Sequence, residues 1–268
     1  MSAVDRHAVH VSGVPGARPL LFAHGFGCDQ HMWRYVAPHF EDRFTVVTFD
    51  HVGAGASDLS AYDPARHASL EGYAQDVLAI VRELDLRDVV LVGHSVSAMI
   101  GVLASIAEPD RFAGLVLVCP SPRYLDDDGY TGGFTRADIC ELLESLDSNY
   151  LGWSSAIAPA IMGNPDRPEL GAELTASFCR TDPDIARRFA RATFLSDDRA
   201  ALPRVTVPTL VLQCTHDVIA PLAVGEYVRD AVPGARLVLL DATGHCPNLS
   251  APEATTAAVA AFVDEGLG

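Results

Sequence analysis

The stretch Gly93-His94-Ser95-Val96-Ser97 decides the fold of this chain, because it joins two elements of different type. Residues 88–92 before it are a short apolar, β-branched run, which is typical of a buried parallel strand. Residues 98–104 after it have the pattern of a helix. A serine on such a sharp turn exposes its hydroxyl above the sheet edge, the nucleophile elbow written G-x-S-x-G. Ser97 replaces the last glycine, and we expect its small side chain to allow close packing of helix on strand.

Apolar runs and helical patterns alternate along much of the chain. Residues 70–84 carry apolar side chains at close to a 3.6-residue period, and the helical patterns at 221–231 and 252–263 have proline near the start. This alternation predicts an α/β fold with a mostly parallel sheet and helices on both faces. The strand-like runs are residues 7–11, 19–23, 44–49, 89–92, 114–118, 209–213 and 236–240.

The alternation stops at about residue 121 and resumes after residue 196. The segment between has the pattern of several amphipathic helices, among them residues 136–146 and 184–194. In open α/β sheets, ligands bind beyond the carboxyl ends of the strands. The sequence therefore predicts an α/β core, residues 1–120 and 197–268, and an inserted helical cap, residues 121–196, over the active site.

Two residues that follow late strands complete a candidate catalytic triad with Ser95. A serine hydroxyl is a weak nucleophile until a base takes its proton and a third group orients that base. In this type of fold the partners follow in the order serine, acid, histidine. Asp217 follows the sixth apolar run and His245 follows the seventh. We therefore predict Ser95 as the nucleophile, His245 as the general base and Asp217 as the acid that orients it.

Other residues compete for these roles. Asp50 is the main alternative for the acid, although it leads into a glycine-rich turn that it is expected to anchor. His94 is expected to be a packed residue of the elbow, and His216 an exposed or structural residue. Cys246 is a weaker nucleophile candidate than Ser95, because it does not lie on the elbow.

Acyl transfer also needs donors for the developing oxyanion, and backbone N–H groups of tight loops are a common source. Val96, directly after the nucleophile, supplies one such group. The other is predicted at Phe26, in the glycine-rich loop 24–27 that follows the second apolar run. The G-x-x-x-x-G-K-[ST] pattern of a phosphate-binding loop is absent from this stretch.

The composition limits the classes of partner. Nineteen lysines and arginines stand against 35 acidic residues in 268, a formal net charge of −16, which repels phosphate backbones and anionic lipids. We therefore expect neither nucleic-acid nor membrane binding. The six cysteines lack C-x-x-C spacing, no signal peptide is visible, and no apolar run reaches the ~20 residues of a membrane span. The sequence predicts a cytoplasmic protein without metal or cofactor.

Five stretches carry a resemblance to the α/β-hydrolase superfamily. They look closest to the RsbQ-type bacterial stress-regulatory hydrolases and to their plant relatives, the strigolactone and karrikin receptors. The cap stretch favours the bacterial branch, whereas Ser97 looks more like the plant receptors. The five stretches are residues 22–30, 93–101, 120–125, 164–169 and 244–247.

The resemblance implies a four-helix cap above a mainly apolar pocket that accepts small apolar esters or lactones. It implies the same triad and the same oxyanion donors, and for the bacterial branch a PAS-domain phosphatase as protein partner. For the candidate pocket residues, packing between cap helices is the alternative role. These candidates are Phe26, Phe134, Trp153, Ile157, Phe189, Phe194 and Leu195.

Three functions are candidates for this fold and these residues, and the third is disfavoured. The leading one is a serine hydrolase that cleaves an ester or lactone bond of a small apolar molecule through an acyl-enzyme. The second is a ligand sensor with slow or single-turnover hydrolysis that acts through a protein partner. A cofactor-free haloalkane dehalogenase or peroxidase of the same fold is disfavoured, because a dehalogenase needs an aspartate where the elbow has Ser95.

Overall fold

Seven strands form one sheet in the computed structural model, which describes residues 1–265. They are β1 (His10–Gly13), β2 (Pro19–Ala23), β3 (Thr45–Thr48), β4 (Val89–His94), β5 (Phe112–Val118), β6 (Thr209–His216) and β7 (Arg236–Thr243). The order in the sheet is β1-β3-β2-β4-β5-β6-β7. Only the β1–β3 pair is antiparallel among these strands; the other pairs are parallel.

Helices cover the sheet and fill the segment between β5 and β6. They are α1 (Ala3–Arg6), α2 (Leu70–Glu83), α3 (Val96–Ala107), α4 (Arg136–Ser148), α5 (Tyr150–Met162), α6 (Pro168–Arg180), α7 (Pro183–Phe194), α8 (Leu222–Ala231), α9 (Pro247–Ser250) and α10 (Pro252–Glu265). No helix within residues 1–265 is both long enough and apolar enough to cross a membrane.

The inner strands β2 to β6 are buried on both faces of the sheet, as parallel strands require, whereas most residues of the edge strands β1 and β7 are exposed or half-buried. On β2, Leu20 and Phe22 belong to one apolar cluster, while Leu21 and Ala23 belong to a second one. Successive side chains of a strand point to opposite faces, so these clusters are the two sides of the sheet. The α/β fold predicted from the alternation of strands and helices, with a mostly parallel sheet and helices on both faces, is confirmed.

The first strand differs from the prediction. Residues 7–11 read as a strand, but β1 covers His10–Gly13 and the short helix α1 precedes it. His7 is 1% exposed, and its ring Nδ1 lies 3.0 Å from the carbonyl oxygen of Asp50. His7 therefore makes a buried polar contact and does not pair in the sheet. The pattern of apolar residues along the chain gives no sign of this contact.

Helices α4 to α7 lie within the segment that the sequence assigns to a cap. The segment leaves the sheet at the carboxyl end of β5, which is also the end at which Ser95 follows β4. These four helices are therefore connected to the end of the sheet that carries the elbow. The division into a core and a cap stays a prediction.

A buried charge cluster joins the N-terminal segment to α2. Asp76 on α2 is 3% exposed, and its carboxylate lies 2.8 Å from His67 Nε2 and 3.7 Å from His7 Nε2. Arg66 also donates to it. Burial alone would raise the pKa of Asp76, but the hydrogen bond to His67 and the nearby His7 ring outweigh that effect and hold the pKa well below its usual value.

Asp76→Asn is expected to lower the free energy of unfolding by about 2–4 kcal/mol near neutral pH, because it removes the buried negative charge that the two histidines and Arg66 face. The sign follows from the lowered pKa: this stability is present above the unfolded carboxyl value of about 4 and is lost as pH falls further. Urea unfolding across pH measures both effects, with Glu71→Gln, exposed on the same helix, as control. Equal stability of wild type and Asp76→Asn at neutral pH would contradict this account.

Candidate active site

The turn after β4 holds Ser95 in a strained backbone conformation. Its φ of +57° and ψ of −122° are rare for a residue with a side chain. Ser95 therefore belongs to neither element: β4 ends at the residue before it and α3 begins at the residue after it. A Cβ at Gly93 would lie 2.4 Å from the backbone oxygen of Ser97, so the first position of the elbow requires glycine. This geometry presents the Ser95 side chain at the carboxyl end of the sheet.

The structure brings Ser95, His245 and Asp217 together in one hydrogen-bonded line. Ser95 Oγ lies 2.7 Å from His245 Nε2, and His245 Nδ1 lies 2.7 Å from Asp217 Oδ2. The other carboxylate oxygen, Oδ1, accepts hydrogen bonds from the N–H groups of Ile219 and Ala220, at 2.8 and 3.1 Å. All three side chains are thus held in the relative positions that nucleophilic catalysis by serine requires.

The charges and hydrogen bonds around Asp217 and His245 determine which of their atoms carry protons. Burial would raise the pKa of Asp217, but the neighbouring His245 and the two backbone N–H groups lower it overall, so the carboxylate is ionised. An ionised acceptor beside Nδ1 keeps a proton on that nitrogen. Nε2 of His245 is therefore the acceptor that faces the Ser95 hydroxyl.

The competing residues have other partners. Asp50 accepts hydrogen bonds from the backbone N–H groups of Gln30 and Ala56, at 2.8 and 2.9 Å, which anchors the loops around it. Burial, followed by the charge of His245, lowers the pKa of His94 to about 3, and His94 Nε2–H donates to the His245 carbonyl at 2.7 Å. His216 is exposed. Burial raises the pKa of the Cys246 thiol well above its usual value.

The predicted oxyanion donors lie at the start of α3 (Val96) and on the loop after β2 (Phe26), and these two segments approach each other closely. A Cβ at Gly25 would lie 2.5 Å from His94 Nδ1 and 3.3 Å from Ser95 Cβ, so the loop that carries Phe26 touches the elbow. Within residues 1–265, no protein atom accepts a hydrogen bond from the N–H of Phe26 or of Val96. Both donors are therefore available to an oxygen bound at Ser95.

An apolar pocket lies above Ser95 and His245. Four of the candidate pocket residues line it: Phe26, Trp153, Ile157 and Phe194. The others have different surroundings. Phe189 stacks on Tyr73 with ring centroids 4.2 Å apart, and Phe134 packs against the core beside Tyr124. Leu195 is 50% exposed.

Two polar residues of the pocket wall were not among the sequence candidates. Tyr124 is 1% exposed, and its hydroxyl interacts with Ser95. Burial raises the pKa of this hydroxyl, and the interaction with Ser95 offsets only part of that rise. Thr193 is 1% exposed, and its hydroxyl has no partner within residues 1–265. The stretch 120–125 that carries the family resemblance contains Tyr124, which is a signal that could have found it. Thr193 lies among apolar residues of α7, and no local pattern distinguishes it.

One group of side chains has metal-ligand proximity. The ligand atoms of Cys119, Asp217 and His245 all lie within 4.8 Å of one another. Burial raises the pKa of Cys119 well above its usual value, so a thiol rather than a thiolate is present. The other two residues are already bonded to each other and to Ser95. Asp217 and His245 are therefore already engaged in the candidate catalytic triad.

Comparison with known proteins places the chain in a family. The model of the "Alpha/beta hydrolase family" matches residues 20–259. A probable esterase of Oryza sativa subsp. japonica is 42% identical over 250 residues, which cover 93% of this chain and 92% of that protein. The "Karrikin insensitive 2 receptor CA" of Petunia hybrida shows the same identity and coverage. The chain belongs to the alpha/beta hydrolase family.

A solved structure agrees with this assignment. A hydrolase from Oleispira antarctica superposes with a TM-score of 0.95 at 42% identity, covering 98% of this chain and 97% of its own. The resemblance to the plant hydrolases of the karrikin-receptor type is therefore confirmed. The resemblance to RsbQ-type regulators stays a prediction.

Proposed function

We propose that this protein is a serine hydrolase that cleaves the ester or lactone bond of a small apolar molecule through an acyl-enzyme. The observation that carries the proposal is the line from Ser95 through His245 to Asp217, with both contacts at 2.7 Å, on the floor of an apolar pocket. An apolar wall favours a substrate without charge, and the net charge of −16 disfavours an anionic one.

The proposed reaction assigns one role to each group. Ser95 Oγ attacks the carbonyl carbon while His245 Nε2 takes its proton, and the N–H groups of Phe26 and Val96 bind the oxyanion. His245 then gives the proton to the leaving alcohol oxygen, and the acyl-enzyme forms. A water molecule, deprotonated by His245, releases the acid and restores Ser95. With a lactone, the leaving alcohol stays attached to the acyl group, so the product is a hydroxy acid.

The proposed cap gives this reaction its pocket. Trp153 and Ile157 lie on α5 and Phe194 ends α7, and all three line the space above Ser95. We therefore keep the division predicted from sequence, with residues 121–196 as a cap on a core of residues 1–120 and 197–268. Such a cap excludes water from the charged transition state, which strengthens the hydrogen bonds to the oxyanion.

A ligand sensor with slow hydrolysis is the second candidate, because a karrikin receptor of Petunia hybrida is 42% identical. Its output would be a contact with a signalling protein, for which the resemblance to RsbQ-type regulators suggests a PAS-domain phosphatase. We also keep a cytoplasmic location as a proposal. The six cysteines, all among the described residues, are free thiols in the structure, which suits a reducing compartment.

Hydrolysis of p-nitrophenyl acetate and butyrate tests the proposal when the burst and the steady state are both followed. An enzyme releases p-nitrophenol in a sustained steady state, preceded by a burst of about one equivalent per active site when deacylation is slower than acylation. A burst that then stalls would instead support the sensor. The absence of both burst and steady-state release would overturn the proposed function.

Trp153→Ala is expected to shift the preference toward longer acyl chains. Removing this ring enlarges the pocket, and each buried CH₂ of substrate contributes about 0.8 kcal/mol, or roughly fourfold in binding. We therefore expect the ratio of kcat/KM for p-nitrophenyl hexanoate over acetate to rise about tenfold or more. Leu151→Ala, at a 54% exposed position of the same helix, is the control. An unchanged ratio in Trp153→Ala would show that the acyl group lies elsewhere.

A further inference from the structure

The hydroxyl of Ser97 is hydrogen-bonded, although its position in the elbow pattern normally holds glycine. Ser97 is fully buried, and its Oγ–H donates to the carbonyl oxygen of His24 at 2.5 Å. His51 Nε2 lies 2.7 Å from the same Oγ. Since the hydroxyl proton is committed to His24, His51 must be the donor in the second contact. Ser97 thus connects the nucleophile helix to the loops after β2 and β3.

The remaining hydrogen bonds fix the tautomers of both histidines. The backbone N–H of His51 donates to His24 Nε2 at 3.0 Å, so the ring proton of His24 is on Nδ1. That Nδ1–H donates to the carbonyl oxygen of Gly25 at 2.9 Å. Burial lowers the pKa of both rings, which keeps them neutral. His51 Nδ1 has no partner among the described residues, as expected when the proton of that ring is on Nε2.

This network ends at the peptide group that carries a proposed oxyanion donor. The Gly25 carbonyl accepts from His24 Nδ1–H and also from the N–H of Cys28, at 3.2 Å. In a planar trans peptide the C=O and the following N–H point in opposite directions. Holding the Gly25 oxygen from two sides therefore fixes the direction of the Phe26 N–H. The His24 carbonyl, one peptide earlier, is held by Ser97.

We propose that Ser97 is a positioning residue that acts through His24 and His51 to aim the Phe26 N–H at the oxyanion. The proposal rests on the proposed serine-hydrolase function. An oxyanion donor is effective because it is already oriented before charge develops. Without the Ser97 hydroxyl, the His24 carbonyl and the His51 Nε2–H both lose a buried partner, and the loop that carries Phe26 is free to shift.

Ser97→Ala removes only the hydroxyl, and Ser97→Gly restores the usual residue of the pattern as a second variant. Ser105→Ala is the matched control, because Ser105 is also buried on α3 and its hydroxyl bonds to the Val102 carbonyl at 2.9 Å. Three quantities are measured for each protein: the melting temperature, kcat and KM for p-nitrophenyl acetate, and the Kd for phenylboronic acid. The boronate formed with Ser95 presents an oxygen where the oxyanion forms.

Loss of a complete oxyanion donor costs ~10²–10³ in kcat, so we expect a displaced donor to cost about tenfold in both Ser97 variants. KM should stay within about twofold, because uniform binding is retained, and Kd for the boronate should rise by the same factor as kcat falls. Ser105→Ala should change neither.

The outcomes separate the inference from the function on which it rests. Hydrolysis that depends on Ser95, with kcat and boronate Kd in Ser97→Ala and Ser97→Gly equal to those of Ser105→Ala, would overturn the positioning role alone. A fall in melting temperature without a selective fall in kcat would also overturn it. Hydrolysis that persists unchanged in Ser95→Ala would overturn the proposed function and this inference together.

Discussion

Ser95→Ala is expected to lower kcat for p-nitrophenyl acetate by ~10⁵, within the range of ~10⁴–10⁶ seen when a triad nucleophile is removed. The physical reason is the position of the hydroxyl, 2.7 Å from the only base that faces it within the described residues. Without that oxygen no acyl-enzyme forms, and only direct attack by water remains. The oxyanion donors and the apolar pocket stay in place, so some rate above that of the uncatalysed reaction should persist.

The measurement combines steady-state release of p-nitrophenol with mass spectrometry of the protein stopped during the burst. Wild type should carry one acetyl group on Ser95, and the variant should carry none. Ser148→Ala, at an exposed position on α4, controls for loss of a serine and should match wild type. An acetyl group on another residue, with activity retained in Ser95→Ala, would contradict the assignment of the nucleophile.

The triad candidates could be identified from sequence because parallel strands end at one edge of a sheet. Ser95 follows β4, Asp217 follows β6 and His245 lies two residues after β7, so topology alone brings them close together. The elbow set the position of the first residue, and the order along the chain selected the other two. Their catalytic roles stay predictions, but their proximity required no knowledge of side-chain packing.

The pocket wall could not be predicted in the same way. Phe189 and Phe194 lie on the same helix, yet Phe194 lines the pocket whereas Phe189 stacks on Tyr73. Which aromatic side chain faces the pocket depends on how α7 is rotated against the sheet, and helical periodicity leaves that rotation undetermined. Thr193 illustrates the same limit, because a polar residue in an amphipathic helix reads as a surface position until its neighbours are known.

The hydrogen bonds of Ser97 were beyond the sequence for a different reason. The substitution of glycine by serine was visible, and its small size suggested only that the helix and strand could still pack. The carbonyl of His24 and the ring of His51 come from loops 73 and 46 residues away along the chain. Such contacts are fixed by tertiary structure, and no local spacing encodes them.

Asp217→Asn is expected to lower kcat by ~10⁴, as replacing the acid of a triad by its amide does through the wrong histidine tautomer. The local geometry predicts this tautomer. Oδ1 of Asp217 accepts two backbone N–H groups, from Ile219 and Ala220, and the amide oxygen of asparagine would take that place. The amide NH₂ would then face His245 Nδ1 and donate to it. The ring proton would move to Nε2, which could no longer accept the proton of Ser95.

This mechanism has a pH dependence that a simple loss of stability lacks. Because the neutral ring of the variant cannot act as base, its remaining activity should rise with hydroxide concentration and show no plateau, which steady-state rates across alkaline pH would measure. Asp50→Asn is the matched control, since Asp50 is the other strand-end aspartate and holds loop N–H groups instead of the base. Asp50→Asn should lower the free energy of unfolding but leave the ring proton of His245 on Nδ1. We therefore expect its steady-state rate to vary with pH in parallel with that of wild type. A reversal, with the ~10⁴-fold loss in Asp50→Asn and near-normal activity in Asp217→Asn, would make Asp50 the acid of the triad.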